Sequence, residues 1–273
     1  MPESSPPFIA PLPRTVSVTQ PFTWLARGGR DMLRCGWISY VHGLITTVFG
    51  AVLLLLAGDR FWLLAGAFSG FLLVAPILAT SLYAMSRALE RREPVGWPLV
   101  LRTWLNWQHG DFIKWGDQHW NLLRFGVLLA VAGTSWVVVS AALIQLMARA
   151  PIDTPTDFLN HVVLGPSVFL LELWLVLGGM LVAPIFAFTV ITIPLLLDRR
   201  ITVAQAMAVS WQVVVTNPIP LAFWGALIMV LTLLGLGLVL LGLVLVVPWL
   251  GHASWHAYRD LVDVSALPGW ESR

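Results

Sequence analysis

The segment LVAPILATSLYAMSRALERR, residues 73–92, aligns without a gap with LVAPIFAFTVITIPLLLDRR, residues 181–200. Nine of the twenty positions are identical. A shorter third copy, LVVPWLGHASWHAYRD, occupies residues 245–260, and its Arg259 matches Arg87 of the first copy. Self-similarity of this kind indicates that one structural unit is used more than once. The sequence therefore predicts a threefold internal repeat.

The composition places the chain among membrane proteins. Apolar residues make up 58% of the 273 and charged residues only 11%, whereas a soluble domain is about a quarter charged. The fifteen tryptophans are typical of proteins anchored at two membrane interfaces. The single cysteine, Cys35, excludes an intramolecular disulfide and a cysteine-based zinc site. The basic residues flank apolar runs, so we expect no nucleic-acid partner.

Six apolar runs have about the twenty residues that a transmembrane helix needs. They lie near residues 38–58, 61–86, 122–147, 165–196, 218–236 and 238–258. We predict an all-α, polytopic membrane domain over residues 36–262, with six transmembrane helices arranged as three repeated hairpins. The hairpins cover residues 38–86, 122–196 and 218–258, and each copy of the repeat is the second helix of one hairpin.

The distribution of Lys and Arg predicts the orientation. Fourteen of the sixteen lie in residues 1–35, the 87–121 region with Arg124, the 197–217 loop or the C-terminal end, and only Arg60 and Arg149 lie on the other side. The positive-inside rule then places both termini, including the tail 263–273, in the cytoplasm. Residues 1–35 lack the short apolar core and cleavage site of a signal peptide, so we expect them to form a cytoplasmic segment.

An amphipathic, aromatic-bearing segment precedes each predicted hairpin, at residues 23–33, 97–120 and 203–215. The second segment is too polar to span and should lie in the cytoplasmic interface. It favours a lipid anchor, although a ligand-stacking platform or a docking surface for another membrane protein remains open. Its tryptophans are Trp97, Trp104, Trp107, Trp115 and Trp120.

Each copy of the repeat places a proline inside a predicted span: Pro76, Pro184 and Pro248. Proline removes a backbone donor and clashes with the carbonyl four residues earlier, so we expect a helix kink at each position. The kinks either let the hairpins pack around an axis or border a central cavity or gate.

Glu172 is the one acidic residue that the sequence places well inside a span, with Ser140 at a similar depth on the preceding helix. An intramembrane carboxyl is a candidate proton relay or cation site. The alternative is a protonated carboxyl that is hydrogen-bonded to a neighbour such as Ser140.

His252 and His256 share one helix face in GHASWHAYRD, residues 251–260, and His42 lies at a comparable depth on the first span. The aligned copies carry other residues at both positions, so the repeat does not require histidine there. The three histidines are candidates for a haem or metal ligand site. The alternative is a structural role at the membrane surface, with His256 paired to Asp260 one turn later.

Motifs for catalysis are absent from the sequence. The only lysine, Lys114, follows no glycine-rich loop, and there is neither a nucleophile elbow nor an H-E-x-x-H pattern. We therefore expect no catalytic residues, no dedicated metal motif and no enzymatic activity.

The patterns LVAP…LYAMSRALERREP, TIPLLLDRRITVAQAM…NPIP and LGHASWHAYRDLV resemble a family of bacterial six-span integral membrane proteins, catalogued as a domain of unknown function. The resemblance covers about residues 25–262 and implies a location in the inner membrane, with no established activity. Some members carry the label cytochrome c oxidase subunit I. The oxidase core needs several more intramembrane histidines than this chain has, which argues against haem–copper catalysis here.

Three functions follow as hypotheses. The first is a non-catalytic accessory, scaffold or assembly subunit of a larger respiratory or photosynthetic membrane complex, bound to other integral membrane subunits. The second is a transporter or channel that uses Glu172 and the proline kinks. The third is a haem- or metal-binding redox protein that uses His252, His256 and His42.

Overall fold

The computed structural model describes residues 12–57, 78–105, 119–148, 150–165, 169–267 and 269, and most of this part of the chain is helical. The helices are α1 (Gln20–Cys35), α2 (Trp37–Ala57), α3 (described over residues 78–90), α4 (Trp97–Leu105), α5 (His119–Met147), α6 (Pro155–Phe158), α7 (Leu170–Thr189), α8 (Thr192–Asp198), α9 (Val203–Thr216), α10 (Pro218–Gly237) and α11 (Leu243–Leu261). A single π-helical turn, Leu159–Val163, follows α6.

Four described segments are long and apolar enough to cross a membrane: Trp37–Leu56, Gly126–Met147, Leu170–Asp198 and Pro218–Gly237. They coincide with four of the six predicted spans and confirm a helical, multi-pass protein. The predicted span 61–86 falls largely outside the described residues, and so does Pro76, the proline inside it. The last predicted span, 238–258, begins later than expected because residues 238–242 form turns and α11 starts at Leu243.

Neighbouring apolar helices run antiparallel. Between α2 and α3, His42 Nε2 lies 2.7 Å from Ser81 Oγ, while Ile38 packs in one cluster with Met85. Between α5 and α7, Ser140 bonds to Trp174, and the later residue Ile144 clusters with the earlier residue Leu170. The helices α10 and α11 meet across a turn, where Gly235 packs against Gly242.

Helix α11 lies at the centre of the described fold and packs against α1, α2, α8 and α10. Two glycines allow the close approach. A Cβ at Gly28 of α1 would lie 2.5 Å from the backbone nitrogen of Ala253, and a Cβ at Gly43 of α2 would meet the carbonyl oxygen of Val244. Only a residue without a side chain fits at such contacts.

The best-packed part of the core lies where α11 ends. Trp24, Trp224, Trp255 and Tyr258 are almost completely buried there, and the rings of Trp24 and Trp224 meet edge to face with centroids 5.5 Å apart. Aromatic side chains bury large areas and dominate core energetics. This end of the bundle positions the histidines described below.

The predicted amphipathic segments are helical where the structure describes them. Residues 23–33 lie in α1, residues 203–215 coincide with α9, and residues 97–105 form α4. Helix α1 buries Trp24, Leu25 and Cys35 on one face and exposes Arg30 and Arg34 on another. Such a division is typical of a helix that lies at a membrane surface.

A short β-pairing joins the two ends of the described chain, and sequence analysis did not predict it. Strand β1 (Leu12–Pro13) pairs antiparallel with β2 (Val262–Asp263), and Arg14 Nη2 lies 2.9 Å from Asp263 Oδ2. The side chain of Asn217 adds two bonds, from Val16 N and to Arg14 O, each of 2.9 Å. The segment before α1 and the segment after α11 are therefore adjacent.

The predicted span 165–196 is interrupted at Val190 and Ile191, between α7 and α8. Ser210 of α9 enters the gap: its hydroxyl donates to Ala187 O at 2.8 Å and accepts from Ile191 N at 3.5 Å. A side chain that inserts between a carbonyl and the amide four residues later breaks a helix in this way. Ser210 thus satisfies backbone groups that the break leaves without helical partners.

Candidate functional site

His252 of α11 connects three helices through its imidazole. The side chain is fully buried; its Nε2 lies 2.9 Å from Ser39 Oγ of α2, and its Nδ1 lies 2.7 Å from Ser86 Oγ of α3. Both ring nitrogens are therefore occupied by hydroxyl groups of the protein. A buried polar side chain with all of its partners present stabilises one arrangement of the helices.

Asp31 extends this network to α1. Its Oδ2 accepts a hydrogen bond of 2.9 Å from the Ser86 hydroxyl and lies 2.8 Å from His256 Nε2. Burial alone would raise the pKa of the Asp31 carboxyl, but the hydrogen bond and charge of His256, with the bond from Ser86, bring that pKa below its ordinary value. Asp31 is therefore a carboxylate near neutral pH, although it is almost completely buried.

The carboxylate sets the direction of the bonds around it. An ionised carboxylate only accepts, so the single hydroxyl proton of Ser86 points to Asp31. Ser86 Oγ must then accept from His252 Nδ1–H, and the Nε2 of a neutral His252 accepts from the Ser39 hydroxyl. A directed chain runs from Ser39 through His252 and Ser86 to Asp31. We call this chain, together with His256, the Asp31 network.

Cys35, the last residue of α1, lies beside the Asp31 network. Burial raises the pKa of the Cys35 thiol to about 11, and the Asp31 charge contributes to the rise, while the hydrogen bond with Ser39 opposes it. The thiolate is the reactive form of cysteine, so this thiol is inert near neutral pH.

His42 forms a second, separate connection between helices. Its Nδ1 lies 2.8 Å from the Ile38 carbonyl, which can only accept, so the proton resides on Nδ1. Its Nε2 faces Ser81 Oγ of α3 at 2.7 Å, and the same hydroxyl oxygen accepts a 3.1 Å bond from Trp104 Nε1 of α4. Trp104 also packs against the His42 ring, with centroids 5.3 Å apart.

The three candidate histidines therefore do not share one site. His252 and His256 both belong to the Asp31 network, whereas His42 belongs to the connection with Ser81 and Trp104. In the described part of the chain, no group of three or more His, Cys, Asp or Glu side chains is placed to hold a metal ion. A haem or metal role for these histidines stays a prediction.

The expected pairing of His256 with Asp260 does not occur, because a different carboxylate is closer. Asp260 instead receives bonds from α1: Gln20 Nε2 at 2.7 Å, Trp24 Nε1 at 3.0 Å and Arg27 Nη1 at 3.1 Å. These bonds fix α1 across the end of α11, and this placement brings Asp31 to His256.

A second polar cluster joins the charged ends of the three repeat copies. Arg259 of the third copy bonds to Glu90 of the first through Nη2, at 2.9 Å, and lies 3.9 Å from Asp198 of the second. Asp198 also accepts from Tyr258 Oη at 2.8 Å and lies 3.5 Å from Arg91 Nη2. Its side chain is only 3% exposed, so these partners compensate for the loss of water around the carboxylate.

Glu172 does not lie well inside the bundle. Helix α7 begins at Leu170, so Glu172 is in its first turn, and its side chain is exposed. The hydroxyl of Ser140 binds Trp174 Nε1 at 2.5 Å instead of a carboxyl group. Glu172 is the third residue of the described span Leu170–Asp198, and its role as a proton or ion site stays a prediction.

The remaining candidate residues are divided between described and undescribed segments. Pro184 and Pro248 lie inside α7 and α11 as predicted, and Trp97 and Trp104 lie on α4. The ring of Trp97 packs against Trp37 with centroids 5.4 Å apart. The structure describes neither Pro76, Trp107 and Trp115 nor the side chain of Trp120.

Sequence reasoning missed four residues that build the Asp31 network and the His42 connection: Asp31, Ser39, Ser81 and Ser86. The signal for Asp31 was present, since an acid at this position shares a helix face with Gly28 and Cys35, which are both buried. The serines carry no such signal because serine is common in membrane helices and only packing reveals its partner.

A protein family matches about half of this chain. The family described as a predicted integral membrane protein (DUF2189) matches residues 63–198, which include the first repeat copy and end within the second. No curated protein and no solved structure matches the chain. The matched segment contains two of the four described spans, in agreement with the family description. Residues 63–198 of this chain are therefore similar to that family of integral membrane proteins.

Proposed function

We propose that this chain is a non-catalytic protein of the bacterial inner membrane that serves as an accessory, scaffold or assembly subunit of a larger membrane complex. A respiratory or photosynthetic complex is the kind of partner that we infer. The proposal rests on the low burial of helix α5 within the described fold. Only 11% of its span Gly126–Met147 is buried, compared with 33% of Leu170–Asp198.

The exposed face of α5 is apolar along its length. Val131, Val138 and Leu146 are 60%, 63% and 84% exposed. Among the described elements, α5 makes its main contacts with α7 and α9 only. In a bilayer such a face contacts either lipid or a helix of another subunit, and a scaffold needs a surface of this kind.

The histidines support a structural role rather than a ligand role. His252 uses both ring nitrogens in bonds to α2 and α3, whereas His42 bonds to Ile38 O of its own helix through Nδ1 and to Ser81 of α3 through Nε2. A haem or metal bound to either ring would require one of these buried bonds to break, which costs about 1–3 kcal/mol for the group left without a partner. The redox hypothesis therefore has less support than the scaffold hypothesis.

The transport hypothesis also has less support. Glu172, its intended ion site, lies at the exposed start of α7. Pro184 and Pro248 lie within helices α7 and α11, and Pro248 is buried in the protein. These positions favour prolines that shape packing.

Six spans with both termini in the cytoplasm remain part of the proposal. The pairing of Leu12–Pro13 with Val262–Asp263 supports an even number of crossings, because it brings the two ends of the chain together. The cluster around Arg259, which joins the charged ends of the three repeat copies, supports three hairpins that return to the same side.

Site-specific photocrosslinking tests the proposal. A photoreactive amino acid at Val138 should crosslink one membrane protein in stoichiometric yield in native membranes. The same probe at Ser140, which is buried two residues away on α5, is the matched control and should give no intermolecular product. If the probe crosslinks only to lipid at each of the positions Val138, Val131 and Leu146, no partner protein binds this face and the proposal is refuted.

A further inference from the structure

An apolar groove of about 440 Å³ runs between α1, α10 and α11. Its lining includes Gly29 and Leu33 of α1, Leu234 and Gly235 of α10, Gly242 of the turn before α11, and Trp249 of α11. The indole N–H of Trp249 donates to Leu25 O at 2.7 Å, so the ring presents only apolar atoms to the groove. The volume falls within the about 300–1,000 Å³ that is usual for ligand sites.

Two arginines next in sequence to the α1 lining distinguish this groove from a general lipid-facing surface. Arg30 and Arg34 each follow a lining residue of α1 by one position, and both are exposed. In the described part of the chain neither arginine forms an ion pair with a carboxylate. The one acid nearby on α1, Asp31, is buried and bound to His256 and Ser86.

The two features lie at the depths that a phospholipid requires. Arg30 and Arg34 come shortly before the span Trp37–Leu56 begins, so they lie at headgroup level. The groove extends from Gly29 and Leu33 of α1 along α10 and α11 to Leu238, in the turn between those two helices. Headgroup phosphates attract clusters of basic residues at this level, and acyl chains fill apolar grooves between helices.

We propose that this groove is a binding site for one anionic phospholipid, with an acyl chain between α1, α10 and α11 and the phosphate at Arg30 and Arg34. The site is independent of the scaffold role, because it lies on α1, α10 and α11 rather than on the exposed face of α5.

Native mass spectrometry of the full chain with equimolar dioleoyl phosphatidylglycerol and dioleoyl phosphatidylcholine tests this site. The wild-type protein should retain one phosphatidylglycerol in preference to phosphatidylcholine. The R30Q/R34Q variant should lose this preference by about 30-fold, which is about fivefold for each arginine. The matched control is R102Q, which removes an exposed arginine of α4 that is remote from the lining.

A second variant separates the groove from the charge. Leu234 is 60% exposed and lines the groove, so L234W fills the space without removing a buried contact. This variant should retain neither lipid, while its thermal unfolding midpoint stays near that of the wild type. Equal retention of both lipids by the wild type would overturn the proposal, as would a preference in R30Q/R34Q that equals that of R102Q.

Discussion

Replacement of Asp31 with alanine tests whether the Asp31 network stabilises the fold. Asp31 is 5% exposed and accepts two bonds of 2.9 Å and 2.8 Å, from Ser86 and His256. Hydrogen bonds to a charged group contribute about 1.5–3 kcal/mol each, and the loss of one partner of a buried pair costs about 3–5 kcal/mol. We therefore expect D31A to lower the free energy of unfolding by about 3–5 kcal/mol.

The thermal unfolding midpoint of purified protein in a mild detergent measures this effect. The expected loss corresponds to a decrease of about 6–20 °C. The matched control is D153A, because Asp153 is an exposed acid whose substitution should change stability by less than about 0.5 kcal/mol. The double variant D31A/H256A should lose less than the sum of the two single variants, because both remove the same bond. A midpoint for D31A equal to that of D153A would refute the reasoning.

Three further predictions follow from the described contacts. Because the pKa of Asp31 is lower in the folded protein, its contribution to stability is fully present above the unfolded pKa, about 3.9, and is lost as pH falls through the folded pKa. The thermal unfolding midpoint of the wild type should therefore decrease more between pH 5 and pH 3 than that of D31A. Substitution G28V should prevent α1 from packing on α11, where a Cβ would lie 2.5 Å from a backbone nitrogen, and should abolish folded protein in size-exclusion chromatography, whereas G179A meets nothing within 4 Å and should elute normally. Substitution D198N should destabilise the protein by about 1–3 kcal/mol, since the partners of the buried carboxylate include Arg259; a midpoint equal to that of the wild type would contradict this.

The sequence predicts the helices well because apolar length is a local property. The predicted spans 38–58, 122–147 and 218–236 match helices of the structure to within a few residues. The predicted segment 203–215 coincides with α9 for the same reason. Local hydropathy is sufficient wherever a single helix forms from a single run.

The sequence is less informative where distant residues decide the outcome. The break at Val190 and Ile191 depends on Ser210 of another helix, and the partner of His256 depends on where α1 crosses α11. The spacing of His252 and His256 correctly indicated a shared face, but it could not reveal that both connect to Asp31. A partner across the fold is set by packing, which periodicity does not contain.

Native mass spectrometry of the complex, purified gently from native membranes, shows whether this chain has a protein partner. We expect this chain to be present in a fixed ratio with at least one other membrane subunit. The mass of the chain itself should equal that of its sequence plus bound lipid. The V138W variant, which alters the exposed face of α5, should release the partner while the fold is retained. A chain without a protein partner that carries stoichiometric haem or metal, lost in the H252A/H256A variant, would contradict the proposed scaffold role.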